Sequence, residues 1–514
     1  MRTAAAAPGP AVAARRPATL ARDVLAGATV AVVLIPQALA YAGVAGLPPI
    51  SGLYAAALPP LAAALFASSP YLQTGPVAQT SLLTFGALAS RAPAGSDAYV
   101  ELGILLALVV GAVRVLVGLT RTGVIAHLMS EPMLMGFVPA GAILIIASQV
   151  PSLLGAGPAA GVLAGAARTV IRPESWDRDA VIVAVATAAA VLGGRRLHRL
   201  FPGALVALAG GLTVGAATGF GGTPVGDIPS GLPSLSLDLP WNELPGLLVP
   251  GAVIALVGFA EPASIARTYA TRERQAWSPN REFVSQGVAN LASGLSGGYP
   301  VGGSLSRTSL NYIAGGATRA SGAVTGLVVL AFLPLAAVLS ALPKAVLAAI
   351  VICSVLGLLR FGRIATLWRV SRPQFAVAVA TFALTLALAP HIERAVTIGV
   401  ALSIAVHLGR ELSLRIDESV AGALVRVQPS GVVWFGNAQR LEEHVTGILG
   451  RTPGVARLEL VLGALGRIDV TGAIAIHNLI ADAEAAGLVV DVCDVPPQAR
   501  AMLDRYAAHR ARLR

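Results

Sequence analysis

Tyr71-Leu72-Gln73-Thr74-Gly75-Pro76-Val77-Ala78-Gln79-Thr80 and Ser296-Gly297-Gly298-Tyr299-Pro300-Val301-Gly302-Gly303-Ser304 are two places where glycine and proline interrupt an otherwise apolar chain in the same way. Pro76 to Thr80 lies over Pro300 to Ser304 at an offset of 224 residues, 76 to 300. The same offset superposes Gly27-Ala28-Thr29-Val30-Ala31-Val32-Val33 on Gly251-Ala252-Val253-Ile254-Ala255-Leu256-Val257, 27 to 251. Two separated matches at one offset mark an internal repeat of the kind found in two-fold membrane architectures. Each interruption opens a segment, Gly75 to Ser90 and Gly302 to Ile313, that is too short and too polar at its start to span a bilayer, so each reads as a half-helix. Unwound backbone at membrane depth is tolerated only where protein or a water-filled cavity satisfies it. Each half-helix starts with free N–H groups and the positive end of its dipole, and two such ends meeting near the midplane attract an anion.

Outward from these stretches, apolar runs long enough to span, or nearly so, fall at Val24 to Tyr41 and at about 48–67, 98–119, 130–150, 179–193, 202–219, 246–266, 282–296, 319–341, 343–359, 373–389 and 392–409. With the two half-helices they make fourteen segments, seven per half. An odd number per half sends the second copy in from the opposite side, so the expected fold is an all-α polytopic membrane protein built as a 7+7 inverted repeat, about 23–219 and 246–411. Composition agrees: of 514 residues 55% are hydrophobic and 12% charged, at a mean hydropathy of +0.74. Those proportions exclude a disordered chain, a disulfide scaffold and an ordinary cytosolic enzyme. The net charge of +11 would suggest nucleic acid in a soluble domain. Here the basic residues crowd into short loops, where the positive-inside rule explains them, and no nucleic-acid partner is expected.

Loop charge also sets the orientation. The loops after even-numbered segments carry Arg195, Arg196 and Arg199; Arg267, Arg272, Arg274 and Arg281; Arg360, Arg363, Arg369 and Arg372; and Arg410 and Arg415. The odd loop from Thr218 to Leu244 carries Asp227, Asp238 and Glu243 and no Lys or Arg, while Arg168, Arg172 and Arg178 are offset by Glu174, Asp177 and Asp179. The N-terminal segment 1–22, with Arg2, Arg15, Arg16 and Arg22, is therefore expected in the cytoplasm of a multi-pass protein of the cell membrane, its first helix retained rather than cleaved. After a transmembrane region 23–412 and a linker 413–423, the composition changes. Strands at Leu424 to Val427, Val432 to Phe435, Leu458 to Leu462 and Val489 to Val492 alternate with helices at Asn437 to Leu449 and Thr471 to Ala486, the pattern of a small cytoplasmic α/β domain over 424–514. Cys493 reads as a core residue there, and Arg500, Arg505, Arg510, Arg512 and Arg514 as a solvated end.

Within the membrane region Glu261 follows a run with no other charge from Leu247 to Ala260. A buried carboxylate is costly unless paired, protonated or functional. It reads as a coupling group that takes a proton or helps to hold a cation, or else as the partner of Arg267. Its counterpart at the 224 offset is Gln37, another polar group inside an apolar run. Arg307 lies one turn into the second half-helix, where it deepens the positive potential, and Ser304 and Ser306 offer hydroxyls to an oxyanion. An Arg307–Glu261 ion pair is the alternative. Gln79, Thr80 and Ser81 supply polar groups from the first half-helix, although Ser and Thr in membrane helices more often bond back to the preceding turn. No metal-type His/Cys cluster, phosphate loop or other enzyme constellation occurs, and no cofactor or metal is expected; the only lysine is Lys344.

These motifs resemble the sulfate permease (SulP) family of anion transporters. Asp23-Val24-Leu25-Ala26-Gly27-Ala28-Thr29-Val30 through Pro36-Gln37-Ala38-Leu39-Ala40-Tyr41-Ala42, then Gly46-Leu47-Pro48-Pro49 and Gly52-Leu53-Tyr54, is similar to the family's first-helix signature. Ser304-Leu305-Ser306-Arg307-Thr308 resembles its tenth-helix motif at the anion site, and Glu261 falls on its eighth-helix acidic position. The resemblance implies a core and a gate domain, elevator-type motion and a homodimer in the lipid bilayer. It implies a candidate anion-contacting set of Gln37, Tyr41, Gln79, Thr80, Ser81, Gly303, Ser304, Ser306 and Arg307, with Glu261 and Ser264 for coupling. Sulfate, bicarbonate, chloride and dicarboxylates are the substrates handled in the family. A glutamate at the eighth-helix position suggests proton symport, with Ser264 keeping sodium as the alternative, and Pro262 is expected to kink the helix there. A membrane anion sensor is a second reading, and a nucleobase permease a third that Arg307 between hydroxyls disfavours. Arg467-Ile468-Asp469-Val470-Thr471-Gly472-Ala473 is similar to the loop of a STAS domain, in which Thr471 is either a helix cap, the favoured reading, or a phosphate acceptor.

Overall fold

The computed structural model describes residues 16–123, 130–157, 160–197, 201–217, 220, 222–231 and 238–513. Arg2, Arg15, Arg199, Arg514 and parts of the loop from Thr218 to Leu244 lie outside them. The chain forms two compact units, Met1–Ala401 and Leu402–Arg514. The first holds α1 (Arg16–Val44), α2 (Pro49–Phe66), β1 (Thr74–Gly75), α3 (Ala78–Leu88), α4 (Asp97–Leu119), α5 (Glu131–Leu153), α6 (Val162–Val170), α7 (Arg178–Leu197) and α8 (Gly203–Ala217). It continues with α9 (Leu244–Arg272), α10 (Pro279–Leu295), β2 (Gly302–Gly303), α11 (Leu305–Ile313), α12 (Ala320–Phe332), α13 (Lys344–Val355), α14 (Phe361–Val370), α15 (Arg372–Ala387) and the first half of α16 (Ile392–Glu411). A helix answers each of the fourteen apolar segments. Eight helical runs among the described residues are long and apolar enough to cross a membrane.

The helices pack as two interleaved bundles. In the first, α10 lies on α4 and α2, and α12 on α1 and α2, with α9 against α4. In the second, α5 lies against α13 and α15, and α7 against α13 and α8. Each bundle takes its helices from both halves of the chain, as an inverted repeat requires. Two pairs of elements start 228 residues apart: α1 and α9, both 29 residues long, at 16 and 244, and β1 and β2 at 74 and 302. That exceeds the sequence offset of 224 by about one helical turn.

Close backbone approach fixes these contacts. A methyl at Gly52 on α2 would stand 2.0 Å from the carbonyl oxygen of Ala38 on α1, backbone against backbone. Gly52→Ala is therefore expected to force the two helices apart at a cost of about 1–3 kcal/mol, read as a lowered melting temperature of the detergent-solubilised chain; an unchanged melt would show the pair to be compliant.

Several segments differ from the sequence expectation, each for a local reason. The first helix starts at Arg16 rather than near Val24, because Ala, Leu and Arg follow a proline placed in the first turn, where its missing N–H costs nothing. The run 319–341 is α-helical only to Phe332 and continues as a 3₁₀ helix over Leu333–Ala341, since Pro334 cannot continue the α-helical hydrogen bonding. Two stretches read as loops, Val162–Val170 and Phe361–Val370, are helices with one apolar face.

The second unit contains β3 (Arg415–Ala421), β4 (Leu424–Val433), α17 (Ala438–Arg451), β5 (Arg457–Val461), β6 (Leu465–Ile468), α18 (Val470–Ala485), β7 (Val489–Cys493) and α19 (Pro497–Leu513). Its sheet runs β3-β4-β5-β7, with β3 antiparallel to β4 and the other pairs parallel, and β6 extends from β4. Leu441, Val445, Ile448, Ile476 and Leu479 of the helices cover Val425, Val427, Leu458 and Leu460 of the strands. The expected linker 413–423 is mostly strand β3, and the two short strands expected at 424 and 432 are one strand. Pro429 falls between the part of β4 that pairs with β5 and the part that pairs with β6, where no ladder N–H is needed. Cys493 is half-buried on the edge strand rather than in the core, and the Arg-rich end is an amphipathic helix with Met502, Leu503 and Tyr506 packed inward. Thr471 does not cap α18. Asp469 does, accepting from Gly472 N at 2.7 Å through Oδ1 and from Phe435 N at 3.1 Å through Oδ2, and Thr471 stands exposed in the first turn. The longer reach and the charge of a carboxylate start the helix earlier than the threonine would.

Candidate functional site

Pro76 and Pro300 have no N–H to give to a helix, and Gly75, Gly302 and Gly303 tolerate a tight approach, so both links run extended and pair with each other. β1 and β2 are antiparallel, with Thr74 opposite Gly303 and Gly75 opposite Gly302. Helices α3 and α11 leave this two-residue ladder, which brings their starts together as the repeat predicts. Side chains from neighbouring helices satisfy the unwound backbone. Asn290 accepts from Val301 N (2.9 Å) and donates to Val301 O (3.1 Å), and Gln286 donates to Thr74 Oγ1 (2.8 Å). Gln73 O accepts from Ser304 N (3.0 Å), while Gln73 N donates to Thr308 Oγ1 (3.0 Å).

At the meeting point lies Arg307, 1% exposed. Its Nη1 donates to Oε1 of Gln37 at 3.3 Å; its Nε and Nη2 have no hydrogen-bond partner. A Cβ at Gly75 would be 3.5 Å from Nη2, so the free edge of the guanidinium faces the β1 link. A buried charged donor left unpaired is unfavourable by several kcal/mol, on the order of 1–3 for each hydrogen bond unmade, and such groups gather where a ligand is held. Glu261 is half-buried on α9, beside the backbone of Leu305, the first residue of α11. It forms no ion pair with Arg307 or Arg267 among the described residues, so both structural alternatives for it are absent. The positive end of α11 is thus partly neutralised by Glu261. That of α3 has no side-chain cap, because its N-cap residue is Val77.

The remaining sequence candidates divide. Gln37 and Gly303 are buried at the site. Ser304 caps α11 by accepting from Arg307 N at 3.4 Å. Tyr41, one turn beyond Gln37, contacts Ser354 Oγ at 3.2 Å, and because that hydroxyl already donates to Val351 O the phenol is the donor. Thr80 and Ser81 bond back to Val77 O at 3.2 and 2.9 Å, and Ser81 also accepts from Tyr299 OH at 3.2 Å. Their hydroxyls serve the helix start. Gln79 is half-buried in the first turn of α3, while Ser306 and Ser264 are exposed and are not gathered with Arg307. Sequence reasoning missed Asn290, Tyr299 and Arg114, a fully buried arginine of α4 that donates to Val301 O at 2.9 Å. Arg114 carried a signal, as the sole charge between Leu102 and Leu119.

The comparisons with known proteins meet this geometry. The model of the sulfate permease family matches residues 20–381. The chain is 34% identical over 393 residues to sulfate transporter 4.1, chloroplastic, of Arabidopsis thaliana, covering 74% of this chain and 57% of that one. It is 33% identical over 374 residues to a probable sulfate transporter of Mycobacterium tuberculosis, covering 71% and 66%. The chain thus spans between about half and two thirds of the length of these relatives. In fold it is similar to murine Solute Carrier 26 family member A9 in the inward-facing state, with a TM-score of 0.86 at 19% identity over 94% of this chain and 87% of that one. It is also similar to the transmembrane domain of a cyanobacterium bicarbonate transporter, with a TM-score of 0.63 at 24% identity over 75% and 97%. With the family match running through both interrupted links and through Arg307 between them, the chain belongs to the sulfate permease family.

Proposed function

We propose that the protein is a secondary active transporter of a small anion, coupled to a proton and working by an elevator-type motion. The observation that carries this is the buried Arg307 guanidinium with Nε and Nη2 free where two half-helix starts converge. Oxygens of an anion accept from those two donors and from the uncapped first turn of α3. Glu261, beside the start of α11, is the competing negative charge. While it is ionised it repels an incoming anion; a proton on it removes that repulsion, so proton and anion favour each other's binding. Gln37, Gly75, Glu261 and Arg307 all belong to the first bundle, which supports an anion that travels with that bundle past the second. Tyr41 reaches across to Ser354 of α13. Ser264, on which a sodium site leaned, is exposed. The relatives named as sulfate transporters support sulfate as the first substrate to try, and the arginine-rich loops support a cytoplasmic N-terminus and α/β unit.

The test is uptake of labelled sulfate, bicarbonate and fumarate into proteoliposomes, with and without an inward proton or sodium gradient. Proton-stimulated accumulation of one of them is expected. Intact anion binding with no flux would instead favour an anion sensor acting through the α/β unit. Glu261→Gln is expected to abolish the pH dependence of uptake while anion exchange continues; a variant with the full pH response rejects the coupling role.

A further inference from the structure

Arg114 sits in the C-terminal third of α4 at 0% exposure, and its guanidinium meets no carboxylate among the described residues. Nε donates to the carbonyl of Ala255 (3.0 Å) and Nη2 to that of Ile254 (3.3 Å), both on α9. Nη1 donates to Val301 O (2.9 Å), on the link that leads into β2 and α11. A methyl at Gly258 would stand 2.8 Å from Arg114 Nη2 and 3.1 Å from Thr80 Cγ2, so the guanidinium and the first turn of α3 flank the same glycine of α9. It touches the supports of both half-helix starts.

Neutral carbonyls meet the hydrogen-bonding need of Arg114 but leave its charge. Neither Arg114 nor Arg307 takes part in an ion pair among the described residues. Burying an uncompensated cation is unfavourable, and this bundle buries two around one pair of helix starts. The carboxylate at those starts is Glu261. Glu282, also buried, is engaged at the other end of α10 with Ser68 N, Ser69 N and Trp277 Nε1. Counting Arg114, Arg307 and Glu261, the site is positive by one charge when Glu261 is ionised and by two when it is protonated.

We propose that Arg114 selects the charge of the bound anion: with Arg307 it makes the site favour a doubly charged tetrahedral oxyanion over a singly charged one of the same shape. This rests on the anion-site reading of Arg307. Arg114 is a positioning residue that acts from behind the link, through the carbonyl of Val301 and through its field. A unit charge about 10 Å from a ligand, at an effective dielectric of about 20, changes affinity by about tenfold per unit of ligand charge.

The test uses sulfate and perchlorate, two tetrahedral oxyanions of charge −2 and −1, with affinities taken from their thermal stabilisation of the full-length protein in detergent. The wild type is expected to bind sulfate at least about tenfold more tightly than perchlorate, against the order set by dehydration, which penalises the dianion. Arg114→Gln is expected to lower the sulfate-to-perchlorate ratio about tenfold, mainly by weakening sulfate. Arg114→Lys keeps the charge without the fork, and both affinities are expected to weaken while the ratio stays. A folded Arg114→Gln protein in which both affinities fall together leaves the ratio unchanged and overturns the proposal, because that is what a purely structural clamp predicts. Should Arg114→Gln fail to fold, equal affinities in the wild type, or loss of the ratio in Arg114→Lys, overturn it equally. If the wild type binds neither anion, the reading of Arg307 as the anion site fails beneath it, a result distinct from an unchanged ratio.

Discussion

Arg307→Ala is expected to cut anion uptake into proteoliposomes by about a hundredfold or more while leaving the fold standing. Two charge-assisted hydrogen bonds, from Nε and Nη2, are each worth about 1.5–3 kcal/mol, and their joint loss sets that factor. Stability has no comparable loss to suffer. The substitution strands one acceptor, Oε1 of Gln37, yet it also removes a buried charge whose other two donors have no partner in the protein. The melting temperature is therefore expected to hold or rise slightly as affinity collapses. Arg307→Lys keeps a point charge without the planar fork and is expected to recover part of the affinity. Unchanged anion affinity in Arg307→Ala would sink the site assignment.

Glu282→Ala is expected to do the reverse, destabilising the protein by about 3 kcal/mol or more through a contact remote from the anion. Oε2 of Glu282 receives Ser68 N (3.2 Å), Ser69 N (2.8 Å) and Trp277 Nε1 (3.2 Å), and so ties the chain leaving α2 to the start of α10. Removing the carboxylate leaves three donors unpaired, the one on Ser69 buried and those on Ser68 and Trp277 part-buried. Glu282→Gln retains an acceptor of the same shape and is expected to melt within a few degrees of the wild type. Equal melting of the alanine and glutamine variants would show that the segment around Ser68 and Ser69 holds itself.

The membrane architecture was legible because it rests on local composition: apolar length, and paired glycine and proline interruptions whose fixed spacing the helices preserve to within a turn. Arg307 and Gln37 were legible for the same reason, as polar groups inside apolar runs. Arg114 carried the same signal, but it lies in an uninterrupted apolar run, away from the glycine and proline breaks that mark the site. What could not be read was which polar groups meet. Whether Glu261 faces Arg307, Arg267 or a backbone N–H depends on the packing of α9 against α11. The hydroxyls of Thr80 and Ser81 turn back on Val77 because that carbonyl lies within reach. Strand β3 escaped because almost every residue in it is exposed, which leaves no alternation to detect.

The two-residue ladder between Thr74–Gly75 and Gly302–Gly303 also bears on how the molecule is made. When a ribosome has delivered the first eight helices into the bilayer, the peptide groups of β1 have no strand beside them, and Arg114 has none of its three carbonyls, which lie at 254, 255 and 301. The early half must therefore wait in the insertion machinery, or in water-accessible form, until α9 and the link through Val301 arrive, 84 residues later from 217 to 301. The anion site is complete only when α11 brings in Arg307, and a nascent protein stalled before its ninth helix holds a buried cation with nothing to receive it.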